Sequence, residues 1–429
     1  MNVLLTRSRL RRIAGVVSTQ TLVQGLGFVV GIVLVRVLSP TQYGYYTLAV
    51  ALVGVANVLT ELGVANAVMA IGGRLAGQRV ALRALVDDAH GLQAVLAAVA
   101  PCVVLPIFVA MLRHQDATLA QSLALVAASA GCAFFNVRIA IAQSVARLAG
   151  QVAVQQKADL VMNVARLAML ALAALVLLDA TTASILNMVA AAGGFLFWRA
   201  WLRRELGVPA GGRGANLAAL RDSVRRQAPN CIYYVINGQL AVWLVGLFGS
   251  ADKVAQVGAL GRLGVAFAVI LQVVATLVMP YFARNEQSEK LESGFVALNA
   301  FYAVLLALLA GVALLAPRPI LWVLGPHYAG LGPELVWMVL ATALTYWSGT
   351  LYSVACARDW VLPGSLGISV GVLTTLVGVR LFDLSTVAGN LQLATLTSFM
   401  ALVVNVGWLG RCLMRHRRAG APRLDEALT

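Results

Sequence analysis

Long runs of apolar residues, most of them twenty or more positions, alternate with short polar connections along almost the whole chain. An α-helix rises about 1.5 Å per residue, so about 20 apolar residues cross the hydrocarbon core of a bilayer. Twelve such runs are read, over 13–37, 45–70, 92–112, 119–139, 152–178, 182–201, 228–248, 254–279, 295–315, 335–355, 361–379 and 385–408. This pattern predicts an all-α polytopic membrane protein with about 12 transmembrane helices. The longest polar connection separates six runs from six. It divides the chain into an N-terminal six-helix lobe (1–201), a cytoplasmic basic linker (202–227), a C-terminal six-helix lobe (228–410) and a cytoplasmic basic tail (411–429). Residues 216–227 have helical spacing and read equally as a solvated charged linker or as a helix on lipid headgroups. The first run outlasts the roughly 7–15 apolar residues of a secretory signal, which makes it a retained anchor.

Composition narrows the class further. Hydrophobic residues make up 60% and charged residues 11% of the 429 positions, and the mean hydropathy is +0.85. Soluble domains carry about 45–50% apolar and about 25% charged residues, so a soluble enzyme, a disordered chain and a collagen-like chain are all excluded. The net charge of +15 could signal nucleic acid, but the placement of the charges gives another answer. Of the 32 Lys and Arg residues, 25 flank the runs on the side shared by both termini. Five lie opposite (Arg36, Arg113, Lys253, Arg318 and Arg380), and Arg166 and Arg262 lie within runs. Basic flanks resist translocation, so the 25-residue side is cytoplasmic, and nucleic acid is not called for. The five cysteines are scattered with no C-x-x-C spacing, which points away from a disulfide framework or a zinc site. There is no Gly-Lys phosphate loop, no H-E-x-x-H and no G-x-S-x-G, and the longest opposite-side connection spans only about 316–334. A transporter without a cofactor fits better than an enzyme.

The chemistry then rests on polar residues inside apolar runs. A charge at mid-bilayer costs about 2.5–3.5 kcal/mol on insertion scales and normally faces a bundle interior or a wet cavity. Arg262 lies about 12 Å into the eighth run and Arg166 about 18 Å from the outer end of the fifth, at 1.5 Å per residue. Asp159, Asn163 and Arg166 are spaced i, i+4, i+7 and share a helix face; that stripe is either a cavity lining or a helix-joining ion pair. Gln20 with Gln24, Asn57 with Glu61, and Asn230, Tyr234 and Asn237 form further one-face groups. Glu61 and Asp159 are the acids able to take a coupling proton or sodium ion, with pairing to an arginine as the competing reading. The spacing of Gly27 with Gly31 and of Gly367 with Gly371 suits close helix packing. The halves also echo each other: Leu38-Ser39-Pro40-Thr41-Gln42-Tyr43-Gly44 follows the first run, and Gly249-Ser250-Ala251-Asp252-Lys253 with Val257-Gly258 follows the seventh.

These last segments carry a resemblance. The run from Val35-Arg36-Val37 through Tyr43-Gly44-Tyr45-Tyr46 to Ala49 resembles the first-to-second span hairpin of bacterial polysaccharide flippases. These belong to the multidrug/oligosaccharidyl-lipid/polysaccharide flippase superfamily. Val257-Gly258-Ala259-Leu260-Gly261-Arg262-Leu263, closing with Met279-Pro280, is similar to their eighth span. Pro319-Ile320-Leu321-Trp322-Val323-Leu324-Gly325, followed by Tyr328, also resembles them. The likeness covers nearly the whole chain in span count and order.

The resemblance implies two pseudo-symmetric six-helix lobes around a central cavity. It implies translocation of undecaprenyl-pyrophosphate-linked oligosaccharide units for O-antigen, capsule or exopolysaccharide assembly. On that reading Arg262 and Arg166 meet the pyrophosphate, because arginine offers phosphate a planar donor fork. Gln20, Gln24, Asn57, Asn163, Asn230, Tyr233, Tyr234 and Asn237, with Asn390 and Thr395, offer amides, hydroxyls and aromatic faces to sugars. Partners are the lipid-linked oligosaccharide, the bilayer, and the polymerase and chain-length proteins of the same pathway. Coupling to a proton gradient, a sodium gradient or the membrane potential is open. The chain departs from the lipid II flippase branch in lacking its two extra spans, and lysine is confined to Lys157, Lys253 and Lys290. A cation-coupled drug or metabolite exporter, with a cavity dominated by Glu61 and Asp159, is the alternative; a membrane enzyme or scaffold of glycan synthesis is the third reading.

Overall fold

Side-chain caps set where several helices begin. In a computed structural model of the chain, Ser39 accepts a hydrogen bond from the Gln42 N–H and Pro40 opens α2 (Pro40–Glu61). Thr118 caps α5 (Leu119–Leu148) in the same way, and Asp179 accepts from Thr182 N at 2.7 Å to start α7 (Ala180–Leu206). Each cap satisfies an N–H that the helix itself leaves unpaired. The structure describes residues 22, 24–75, 78–175, 178–207, 214–265, 282, 287–358, 360 and 362–420. Among these there are helices and turns and no strand. The remaining helices are α1 (Gln24–Val37), α3 (Val64–Arg74), α4 (Arg79–His114), α6 (Val152–Ala174), α8 (Leu217–Phe248), α9 (251–265), α10 (Ser288–Leu315), α11 (Pro317–Trp322), α12 (Gly332–Ala357), α13 (Gly364–Leu381) and α14 (Val387–Gly420).

Seven stretches among the described residues are long and apolar enough to cross a membrane, or eight when the bent α4 is counted as one span. The expected twelve are therefore not all visible as apolar helices. In α6, Lys157, Asp159 and Arg166 dilute the apolar run within 23 residues. The start of the first run and the second half of the eighth, with Met279 and Pro280, lie outside the described residues. α4 bends by 41° between Arg79–Ala100 and Val104–His114, where the sequence places Pro101, a residue that removes a helix hydrogen bond.

The second predicted run is also broken. Leu62 takes a left-handed conformation (φ 38°) and Gly63 another (φ 85°), so α2 stops and α3 starts afresh inside one apolar stretch of 35 residues. The break holds because Glu61 caps it: its carboxylate oxygens accept from Gly63 N at 3.1 Å and Ala65 N at 2.7 Å. A Cβ at Gly63 would lie 2.7 Å from the Gln227 side chain, so glycine serves both the backbone angle and the packing.

The chain divides into two compact units, 1–258 and 259–429. In the first, Val68, Leu85, Val86, Ile141, Val145, Trp198 and Leu220 form a core drawn from α3, α4, α5, α7 and α8. Residues 217–227 are not a separate surface helix but the first three turns of α8, with Leu220 and Val224 buried in that core. Their entry is fixed by the buried Asp88, whose two carboxylate oxygens accept from Gly214 N (2.7 Å) and Asn216 N (3.0 Å). The two echoing segments pack on each other: a Cβ on Gly44 would lie 2.3 Å from the Ala251 carbonyl oxygen, and one on Gly258 would lie 2.3 Å from Thr47 Oγ1. In the second unit, Leu291, Leu298, Tyr302, Leu351, Val354, Leu402 and Leu409 form the core between α10, α12 and α14.

Candidate substrate cavity

Within the first unit a cavity of about 270 Å³ opens between α2, α5, α6 and α7. Val50, Val53, Met162, Ala190 and Ala191 give it apolar walls, and Cys132, Asn136, Asn163, Arg166 and Asn187 give it polar groups. Helix periodicity explains the grouping. Asn163 and Arg166 lie one turn apart on α6, Cys132 and Asn136 one turn apart on α5, and Asn187 precedes Ala190 and Ala191 by one turn on α7.

Arg166 is the chemical centre. Its Nη2 donates to the Tyr46 hydroxyl oxygen at 3.1 Å, and Asn187 Nδ2 donates to the same oxygen at 2.9 Å. Tyr46 is fully buried on α2, so the phenol is a fixed post that holds both donors. Arg166 Nε and Asn187 Oδ1 are buried without a hydrogen-bond partner. Among the described residues, no carboxylate lies within ion-pairing distance of Arg166. The guanidinium is thus oriented by neutral groups and keeps its charge uncompensated. A half-buried cation with a buried, unpartnered Nε carries a desolvation cost that an anionic ligand would offset.

The predicted α6 stripe divides. Asn163 and Arg166 line the cavity. Asp159 turns elsewhere: its Oδ1 accepts from Gln143 Nε2 on α5 at 3.1 Å, and its backbone carbonyl accepts from Asn163 Nδ2 at 2.8 Å. Both oxygens of Glu61 are taken by the backbone at the α2–α3 break. Asn57 is half-buried with Oδ1 unpartnered, outside the cavity lining. Gln24 is half-buried on α1, while Gln20 lies outside the described residues. On α8, Tyr233 and Asn237 are half-buried and Tyr233 has an interaction partner. The backbone of Asn230 and Tyr234 is helical, and their side chains lie outside the description. Arg262 on α9, in the second unit, is half-buried and engaged with a partner. Asn390 is buried and donates to the Leu384 and Thr386 carbonyls, capping a turn. Thr395 donates to the carbonyls of Trp337 and Leu391.

Sequence reasoning missed Tyr46, Asn136 and Asn187. Asn136 and Asn187 lie in the predicted fourth and sixth runs, and a polar amide in an apolar run is the same signal that selected Asn57 and Asn237. Tyr46 was legible only as part of the aromatic-rich segment after Pro40. The second unit holds a polar cluster of its own, in which Tyr302 stacks on Trp347 (5.8 Å, 12°), Trp347 Nε1 donates to Asn299 and Tyr302 shares a 2.6 Å hydrogen bond with Thr350. Tyr302 is 1% exposed, so this cluster joins helices.

No curated protein matches the sequence. Among solved structures, the fold is similar to a multidrug-resistance MATE transporter of the MOP superfamily in its inward-facing conformation (TM-score 0.69, 14% identity, covering 93% of this chain and 96% of that one). It is similar to the lipid II flippase MurJ in an inward closed conformation (TM-score 0.71, 11% identity, 92% and 86% covered). It is also similar to a MOP-superfamily transporter from Pyrococcus furiosus (TM-score 0.61, 15% identity, 95% of each chain). The fold is therefore that of the multi-span MOP-superfamily transporters. The family model described as polysaccharide biosynthesis protein matches residues 10–286, more than half of the chain, and the chain belongs to that family.

Proposed function

We propose that the protein is a flippase that carries undecaprenyl-pyrophosphate-linked oligosaccharide units across the bacterial inner membrane by alternating access. Its product feeds O-antigen, capsule or exopolysaccharide assembly. The observation that carries this reading is Arg166, a half-buried guanidinium lining a polar cavity, posted on Tyr46 and with no carboxylate partner among the described residues. A pyrophosphate supplies several acceptor oxygens to such a fork, and the amides of Asn136, Asn163 and Asn187 suit sugar hydroxyls. The prenyl tail stays in the bilayer, which is consistent with a cavity much smaller than the whole substrate. Arg262 is the second-unit cation of this reading, and Asp159 is the coupling candidate whose carboxylate is held by a neutral amide. Both termini are cytoplasmic in this reading. The family assignment and the MurJ-like fold support a lipid-linked cargo.

The test is glycan display in a strain whose own flippase gene is deleted. Arg166→Ala is expected to abolish display while the protein accumulates in the membrane, with the same result for Arg262→Ala. Arg166→Lys recovers part of the activity, because a point charge lacks the bidentate fork. Normal display from a stably expressed Arg166→Ala protein overturns the assignment.

A further inference from the structure

A second, larger cavity of about 460 Å³ lies in the first unit between α4, α5 and α7. Arg83, His90, Arg138, Arg199 and Arg203 line it, with Trp198 among the rings of its wall, and no carboxylate among the described residues takes part in the lining. We propose that this pocket holds the phosphate of an anionic lipid at the membrane face.

Position, charge and unmet hydrogen bonding support the assignment together. Arg83 and His90 precede the third predicted run, Arg138 closes the fourth, and Arg199 and Arg203 close the sixth. All five therefore sit at one membrane face, at headgroup level, on the side with the basic excess. The Arg83 guanidinium is already paired with Asp87 at 3.1 Å. Arg138, Arg199 and Arg203 have no ion pair among the described residues. Arg138 is half-buried and lies over the Phe134 ring, 4.7 Å from its centroid, which fixes a cation at the pocket wall. Among the described residues, the donors Arg83 Nε and Trp198 Nε1 and the ring nitrogen His90 Nε2 are buried with no hydrogen-bond partner, although an unmet buried polar group costs about 1–3 kcal/mol. The half-buried Arg138 and the exposed Arg199 and Arg203, none ion-paired among the described residues, line one cavity between spanning helices and form a site for a phosphate headgroup. The pocket is separate in its lining from the Arg166 cavity: the two share no residue. The inference does not rest on the proposed cargo.

Native mass spectrometry of the full-length protein, released from detergent, tests it. The probes are phosphatidylglycerol, phosphatidylethanolamine, undecaprenyl pyrophosphate and inorganic pyrophosphate. Wild type is expected to retain phosphatidylglycerol over phosphatidylethanolamine. Removing a surface-level arginine weakens anionic-lipid binding about fivefold, so Arg138→Gln/Arg199→Gln loses about 25-fold. Arg203→Gln, on an exposed residue, loses about fivefold. Arg221→Gln/Arg225→Gln, exposed on the same basic face but outside the pocket, changes nothing. A loss on phosphatidylglycerol identifies the bilayer as the source of the lipid, and a loss confined to undecaprenyl pyrophosphate identifies the substrate lipid. Equal retention by wild type and the pocket variants, an equal loss in the Arg221/Arg225 control, or competition by inorganic pyrophosphate as strong as by lipid overturns the proposal. Glycan display by the Arg166 variants is a separate readout, so failure here and failure of the flippase assignment are distinguishable.

Discussion

Replacing Tyr46 by phenylalanine deletes one oxygen and strands two donors. The ring is fully buried and its volume is nearly kept, so packing changes little and the hydrogen bonds dominate. Arg166 Nη2 and Asn187 Nδ2 both lose their acceptor. A hydrogen bond to a charged group contributes about 1.5–3 kcal/mol and a neutral one about 1 kcal/mol, giving an expected loss of about 2.5–4 kcal/mol. A double-mutant cycle separates the two. With Arg166→Met already in place, Tyr46→Phe should cost only about 1 kcal/mol, the Asn187 share, leaving a coupling of about 1.5–3 kcal/mol. Reversible denaturant unfolding of the purified protein in mixed micelles reads the stability. Glycan display reads function, which should fall because the guanidinium has lost its post. A Tyr46→Phe protein as stable as wild type, or a coupling near zero, refutes the view that this phenol orients the cavity cation.

Gly44→Ala should sharply lower the yield of folded protein, because the new methyl would lie 2.3 Å from the Ala251 backbone oxygen and neither helix can yield there; detergent-resistant monomer on size exclusion measures it. Asp88→Ala removes both acceptors at the start of α8 and should cost about 2–4 kcal/mol, with early proteolytic cutting near 207–217 as the visible sign. Asp159→Asn should keep the protein folded, since an amide still accepts from Gln143, while abolishing any dependence of export on a proton or sodium gradient. Reporter fusions after Arg204 and at Thr429 should both report cytoplasm, as the basic flanks require.

Hydrophobic patterning gave the all-helical, many-span class, though not all twelve spans, because a bilayer demands runs of fixed length and little else. It failed where polar chemistry interrupts a run. The α2–α3 break is invisible as hydropathy, since Leu62 and Gly63 are as apolar as their neighbours; only the Glu61 cap and the glycine reveal it. The face that Arg166 shares with Asn163 was readable from spacing. That Asp159 would turn to Gln143 was not, because the choice depends on which side of α6 meets α5. Gly44 and Gly258, both inside segments that carry the family resemblance, prove to be contact glycines, the first against the Ala251 backbone and the second against the Thr47 side chain. A family signature can thus record packing and leave the chemistry to residues such as Asn187 that no motif marks.

On the proposed reading, a cavity whose described lining carries a cation and no carboxylate would also sort cargo by electrical work. Bacterial membranes are negative inside, so a negative headgroup carried outward runs downhill by about 2.3 kcal/mol per charge for each 100 mV. A doubly charged pyrophosphate would gain about 5 kcal/mol at 100 mV. Arg166 belongs to the protein and is not delivered with the cargo, so it lowers the cost of placing the anion in a low-dielectric interior without cancelling the charge that the field pulls on. An acid beside it would have neutralised the site and removed that advantage. For an anionic cargo, the voltage alone can therefore set the direction of transport.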